Sequence, residues 1–384
     1  MGIPIARLFG IEIRVTFGWV FVLAIIAVVA VGELSAIEPA LDVVLTWVLG
    51  AIVAAGFFLS SVSHDLAHAL VARRRGIEVR SIGVSFFGGA TPFDPVSGNP
   101  GDDAMIAASG PLASLGIGAA LFGLTMGVFA LAGEFNAAAG VLIVLVFLNV
   151  LLGLVNLVPA YPLDGGRIVR DIVWRRSGSE RSGWRAAART GRLTGMIITG
   201  VGIAYFAFKH DMTGIMIALT GWFFVMSANA VRDRIRLDDI LGGHVVREAM
   251  DESPPTVAPG LTVDTFAGQL LDGSSPLFAI PVVDGDDVVG ILGPIQLRGL
   301  RRTSWATTHV GDAMAKPPKL TTLSPDEPMR PALERMYRSG LDGLPVLEDG
   351  RLIGVLTRQG VGRFVAKARE SMPEPTRSSR RFGR

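Results

Sequence analysis

His64 and His68 stand four residues apart, with Asp65 between them, near the end of a long apolar run. Residues four apart share one face of a helix, so both imidazoles can turn a ring nitrogen toward a single divalent metal ion. Ionisable side chains are costly inside such a run and are kept there for function, which makes the trio a candidate site. The sequence holds no cysteine, so a metal can be held only by His, Asp or Glu. The other histidines, His210, His244 and His309, have no partner at ligand spacing and read as surface or packing residues. Two histidines leave a zinc site incomplete; a third protein ligand with an open fourth position would make it catalytic. The best-placed carboxylate is Asp164, in the stretch Asn156-Leu-Val-Pro-Ala-Tyr-Pro-Leu-Asp-Gly-Gly-Arg167. There Pro159 and Pro162 break a helix, while Gly165 and Gly166 permit a tight turn that aims Asp164 inward.

The elements that must position these residues are membrane helices. Half of the 384 residues are apolar, and a mean hydropathy of +0.47 excludes an ordinary soluble domain. Lys plus Arg number 36 against 34 Asp plus Glu, which gives nucleic-acid binding no electrostatic basis. Six runs are long enough to span a bilayer, near 17–37, 43–72, 104–132, 138–159, 192–209 and 213–230. No small-residue cleavage site follows the first, which therefore reads as a retained helix. Arg73 to Arg75, the arginines from Arg167 to Arg189, and Arg232, Arg234 and Arg236 follow alternate runs. Basic ends face the cytoplasm, so both termini are expected there, in a multi-pass protein of the plasma (inner) membrane. Runs two and four then descend to the same side, which puts His64 and Asp164 at similar depth. Two stretches, Ile11 to Val15 and Val79 to Phe87, read as interfacial strands. A strand at this depth must be paired or buried. Phe87-Gly88-Gly89 therefore either offers an edge to an extended peptide or belongs to a hairpin joining runs two and three.

After residue 236 the composition turns soluble and a repeat appears. Met250 maps onto Met314, Pro281-Val-Val onto Pro345-Val-Leu, and Gly290-Ile-Leu onto Gly354-Val-Leu, each at an offset of 64 residues. Each unit carries a strand, an acidic Gly-containing turn (Asp284 to Asp287, Glu348 to Gly350) and a second strand, a hairpin signal. The expected organisation is a membrane core over 1–236, a linker over 237–243, repeats over 244–303 and 304–370, and a basic, disordered tail over 371–384.

The repeats resemble a tandem pair of cystathionine-beta-synthase-type (CBS) modules, a family that packs as pseudo-dimers and often binds adenine nucleotides. That resemblance implies a possible nucleotide site and homodimer contacts. Where the family usually has Thr followed three residues later by Asp, repeat one has Gly293 and Gln296, and repeat two has Thr357 and Gly360. Loss of the aspartates removes the expected ribose contact, leaving a structural or docking role beside nucleotide sensing.

The first part resembles the site-2 proteases, zinc metalloproteases that cut peptide bonds within or near the membrane. Members carry His-Glu-x-x-His on one membrane helix and Asn-x-x-Pro-x-x-Pro-Leu-Asp-Gly on another. The second motif matches from Asn156 to Gly165, and the first matches except for Asp65. Ser109-Gly-Pro-Leu112 and Phe87-Gly88-Gly89 also look like family features. The resemblance implies one zinc ion on His64, His68 and Asp164, with Asp65 as general acid and base. It implies that Asn156 holds the substrate backbone or stabilises the oxyanion; a plain helix-end cap is the other reading.

The fold expected is thus a polytopic α-helical membrane protein with six transmembrane helices and interfacial β-strands, plus a cytoplasmic α/β CBS pair. The function expected is hydrolysis of membrane-anchored regulatory proteins, such as anti-sigma factors. Aspartate is shorter than glutamate by one methylene, about 1.5 Å of reach. A catalytically attenuated or dead metal-binding membrane adaptor therefore stays open as one alternative, and a CBS-gated ion transporter as another.

Overall fold

The computed structural model describes residues 2–84, 97–132, 136–272, 279–316 and 320–371. Phe87, Gly88 and Gly89 lie outside the described residues, as does the tail after 371. The chain forms two compact units, residues 1–235 and 236–384.

Unit one opens with a hairpin. Strands β1 (Ile3–Leu8) and β2 (Ile11–Val15) run antiparallel around Phe9 and Gly10, both at positive φ. β2 also pairs in parallel with β3 (Ser81–Val84), giving the order β1-β2-β3. On β2, Ile11 and Ile13 enter the core, while Glu12 and Arg14 pair with each other outside it. That alternation made β2 readable from sequence. β1 was not expected, because Pro4 and a bulge between Pro4 and Ala6 interrupt its pattern. Arg73 donates to the Phe9 carbonyl, so the hairpin is tied to the end of the second helix.

Among the described residues seven helices follow: α1 (Gly18–Ile37), α2 (Val43–Arg74), α3 (Pro100–Ala132), α4 (Ala137–Asn156), α5 (Asp164–Ser177), α6 (Glu180–Lys209) and α7 (Met212–Leu241). All but α5 are long and apolar enough to cross a membrane, and the chain is a polytopic membrane protein. Asp42 caps α2 by accepting from Val44 and Leu45 backbone N–H groups, and Asn136 caps α4 through Ala139. α5 ends at Gly178 in the left-handed region, and Ser179 at once caps α6. α6 begins twelve residues before the apolar run expected at 192, and α7 continues past 230. Hydropathy marks the part of a helix that suits lipid, and the backbone hydrogen bonds continue through the basic ends.

α3 is the centre of this unit, packing against α2, α4 and α5, while α1 packs on α2 and α4, and α5 on α6. The core joins Ile11 and Ile13 of the sheet to Trp19, Phe57, Ile106 and Leu148 of the helices. Between membrane helices such contacts act through close packing, since lipid is as apolar as the side chains.

In unit two a short 3-10 turn (Val246–Glu248) and β4 (Asp251–Glu252) precede α8 (Val263–Asp272), β5 (Ile280–Asp284), β6 (Asp287–Leu292), α9 (Pro294–Arg298) and α10 (Val310–Ala313). α11 (Met329–Ser339), β7 (Gly343–Glu348), β8 (Arg351–Thr357) and α12 (Arg358–Ser371) complete it. The repeat is visible in the pairing: β5–β6 shifts register after Val282 and β7–β8 after Val346, at the same offset. β4 joins the second hairpin, so that sheet has three strands and the first has two.

The stretch 237–243, read as a linker, is helical to Leu241 and turns only at Gly242 and Gly243. Ile240 and Leu241 are buried in one core with Val246, Met329, Met336, Val361 and Val365. The polar residues Asp238 and Asp239 hide this from a hydropathy reading, because only two adjacent positions face inward. Leu241→Ala is expected to destabilise unit two by about 2–5 kcal/mol, the usual cost of emptying a core position. Hydrogen exchange of the β7 and β8 amides in the full chain, faster in the variant, checks it.

Candidate active site

Two turns of α2, the first turn of α5 and one face of α3 meet at a single point. His64 Nε2, His68 Nε2 and Asp164 Oδ2 form a triangle with all three separations at 3.2 Å. His64 and Asp164 are buried, and His68 is nearly so.

The other nitrogen of each ring is engaged. His68 Nδ1 lies 2.7 Å from the Ile106 carbonyl oxygen and His64 Nδ1 lies 2.9 Å from Ser114 Oγ. A carbonyl only accepts, so His68 carries its proton on Nδ1 and turns the lone pair of Nε2 into the triangle. Ser114 is positioned to do the same for His64. Orientation of this kind is what metal-ligating histidines need from their surroundings.

Three electron-rich atoms at this separation repel each other unless a proton or a metal cation lies among them. Zinc bonds of about 2.0–2.1 Å at tetrahedral angles separate neighbouring ligand atoms by about 3.3 Å, close to the spacing found. The donor set of two imidazoles and a carboxylate with one position left open suits a catalytic zinc ion. Among the described residues this is the only group of His, Asp and Glu close enough to hold a metal.

Gly110 forms the wall against which the rings stand. A Cβ there would lie 2.2 Å from His68 Nε2 and 2.6 Å from His64 Nε2, within the space a metal would share. Ile106, Gly110 and Ser114 fall at four-residue spacing and so make one face of α3. Sequence reasoning noted Gly110 only as part of a motif and missed Ile106 and Ser114. A backbone carbonyl leaves no trace in a sequence, but the four-residue spacing of Gly and Ser opposite a His pair was available.

Asp164 opens α5, and Gly165 lets that turn close on the end of α4. A Cβ at Gly165 would meet the Leu157 and Val158 carbonyl oxygens at 2.3 Å. The expected tight turn is thus a close approach of backbone inside a helical turn. The same approach brings the chain just after α4, at Leu157 and Val158, against the first turn of α5. Asn156 Nδ2 donates back to the Leu152 carbonyl at 2.9 Å, the pattern of a helix-end side chain. Asp65 is half-buried next to His64, and its electrostatic neighbours are His64, His68 and Asp164. Phe87, Gly88 and Gly89, expected to hold substrate, lie outside the described residues.

Residues 126–198 match the family model of Peptidase family M50, and residues 246–298 and 310–366 match that of the CBS domain. Rip3 of Mycobacterium tuberculosis, named as a candidate zinc metalloprotease, is 32% identical over 378 residues, 97% of this chain and 95% of its own. The chain belongs to peptidase family M50, the site-2 proteases. A second relative, from Synechocystis sp. and also named as a candidate zinc metalloprotease, is 27% identical over 94% of both chains. The solved site-2 protease of Methanocaldococcus jannaschii aligns at 25% identity, covering 60% of this chain and 94% of that one, with a TM-score of 0.37. Membership makes this chain a metalloprotease that carries a CBS pair.

Because a Cβ at Gly110 would collide with both Nε2 atoms, Gly110→Ala is expected to abolish or strongly weaken metal binding. Gly116→Ala, on the same helix with open space around its Cβ, leaves it unchanged. Chelator competition on the detergent-solubilised protein reads both.

Proposed function

We propose that His64, His68 and Asp164 hold one zinc ion per chain and that this site hydrolyses peptide bonds of membrane-anchored proteins. The observation that supports this best is the equal-sided triangle of ligand atoms, with both outer ring nitrogens engaged. When bound, zinc supplies Lewis-acid polarisation of the scissile carbonyl and lowers the pKa of water at the site.

The chain's own residues do the rest. His64 and His68 bind through Nε2, kept in that orientation by Ser114 and the Ile106 carbonyl. Asp164 brings the negative charge that two neutral imidazoles lack. Asp65 takes the proton of the attacking water on its carboxylate and returns it to the leaving amide nitrogen, the role of a general base turned general acid. Asn156 presents its remaining amide hydrogen to the substrate backbone or the oxyanion.

A substrate helix hides its peptide bonds behind its own hydrogen bonds, so it must unwind to be cut. Among the described residues β3 has a free edge, and we assign it, with the adjoining Phe87-Gly88-Gly89, to holding the unwound segment. The substrate class is membrane-anchored regulators, anti-sigma factors among them. The protein lies in the plasma membrane with both termini in the cytoplasm, in keeping with the basic ends of alternate spans. The transport reading falls with the family assignment.

We assign the CBS pair to docking, homodimer contacts included, and not to nucleotide sensing. Both signature positions are engaged in capping: Gln296 Oε1 accepts from Gly293 N–H, and Gly360 N–H donates to Thr357 Oγ1. Neither offers a carboxylate to a ribose. Titration of the full chain with AMP or ATP is expected to leave its melting temperature unchanged; a saturable rise would overturn the assignment.

Zinc analysis combined with cleavage of a membrane-anchored substrate tests the catalytic reading. The unmodified chain should carry one zinc, and His64→Ala should lose both metal and cleavage. Asp65→Asn should keep the metal and cut about 10²–10⁴-fold more slowly, the usual contribution of general acid-base catalysis. Asp65→Glu should cut faster than the unmodified chain. An unmodified chain without zinc would sink the proposal.

A further inference from the structure

A second cluster of ionisable groups lies outside the metal triangle, and the chemistry above makes no use of it. Arg170 of α5 is fully buried. Its Nε donates to Asp171 Oδ1 at 2.5 Å, and its Nη2 stands 3.6 Å from Oδ2 of Asp103, in the first turn of α3. The guanidinium lies over the Trp184 ring of α6, 4.7 Å from the centroid. Asp103 accepts in turn from the Ser97 backbone N–H at 2.7 Å. All three charged side chains have no solvent exposure.

Burying a charged triad is expensive, and apolar residues of equal volume usually stabilise a fold as well or better. Stability is therefore a weak reason for this arrangement. What the triad does have is position. Arg170 follows Asp164 by six residues on the same helix, and Asp103 precedes Ile106, Gly110 and Ser114 on theirs. One ion pair thus joins the helix that carries the third ligand to the helix that orients the first two. The neighbouring Asp102 reaches the other way, to Arg75 at the end of α2, at 2.9 Å. That pair is partly solvated and so a weak constraint.

We propose that Arg170 is a positioning residue for the metal centre: its bridge between Asp103 and Asp171 sets α5 against α3 so that the Asp164 carboxylate meets the two imidazoles. The guanidinium hydrogen-bonds Asp171 on its own helix through Nε and meets Asp103 of α3 as an ion pair at 3.6 Å, so its charge is spread over a planar fork that an ammonium, a single point, lacks. Stacking on Trp184 fixes the plane of that fork. Without it α5 can turn or slide on α3, and a carboxylate one turn and a half away moves with it. This inference rests on the metal reading above.

The test uses cobalt(II) as the probe, with chelator competition for affinity, the visible spectrum at saturation for ligand geometry, and melting temperature for stability. Arg170→Met is expected to bind cobalt about tenfold or more weakly, as outer-partner losses do, and to show an altered saturated spectrum. Arg170→Lys should recover part of the affinity. The variant Asp103→Asn, Arg170→Met, Asp171→Asn removes the three charges together, so its melting temperature should fall less than that of Arg170→Met, and it should still show the weak affinity and altered spectrum. Arg75→Gln should resemble the unmodified chain. A wild-type spectrum and affinity in either the single Met variant or the triple variant would overturn the proposal, whatever happens to the melting temperature. Asp164→Ala separates the two ideas: unchanged cobalt affinity there means that the metal reading itself has failed.

Discussion

Two imidazole nitrogens and a carboxylate oxygen held 3.2 Å apart repel one another, and in apolar surroundings little solvent weakens that repulsion. The arrangement needs a positive centre among the atoms, a metal ion or a proton shared between imidazole and carboxylate, and helices rigid enough to keep the atoms in place. Much of the membrane unit answers that demand. The ligands come from two helices distant in sequence, so each must be fixed independently against a common reference. Close packing does this better than side-chain hydrogen bonds alone, because packed helices cannot drift by fractions of an ångström without opening voids.

α3 is that reference. It contributes no ligand, yet its Ile106 carbonyl, Gly110 and Ser114 set the height and rotation of both rings. From its other side α4 presses close, where Gly153 approaches the Pro111 carbonyl and the Leu115 side chain. Ring orientation and wall thus come from one continuous element, with α4 packed behind it. A loop supplying the same three groups would have to be held by hydrogen bonds that the site itself does not provide.

The sequence made some of this legible for physical reasons. Six spans follow from lipid solubility, which is a property of composition, and the His64–His68 pair follows from helical periodicity. Asp164 was legible because prolines and glycines around a lone carboxylate signal a shaped backbone. The repeat was legible because its offset is constant. Other parts leave no such mark. α5 is short and polar, β1 is broken by a proline, and the end of α7 looks like a linker because only Ile240 and Leu241 turn inward. The Asp103–Arg170–Asp171 triad escaped notice because the sequence around it reads as a basic, solvated helix. Burial of a charge depends on what the chain brings over it from elsewhere, here Trp184 and α3.

Asp65 is the point where these constraints act on chemistry. A carboxylate one methylene short of glutamate falls about 1.5 Å short in reach, and there are two ways to restore contact: the helix advances or the reacting atoms retreat toward it. The first is closed to α2. Any advance of Asp65 carries His64 and His68 along, and both rings are held through Nδ1 and stopped by the Gly110 wall. The second requires substrate and water to sit deeper between Asp65 and Asp164 than a longer side chain would ask. A misplacement of about 1 Å costs on the order of 10²-fold in rate, so under the proposed mechanism a rigid metal centre would make the short acid a slow catalyst. The same pinned rings that make the proposed metal site well formed are what would prevent the helix from compensating for a short acid at Asp65.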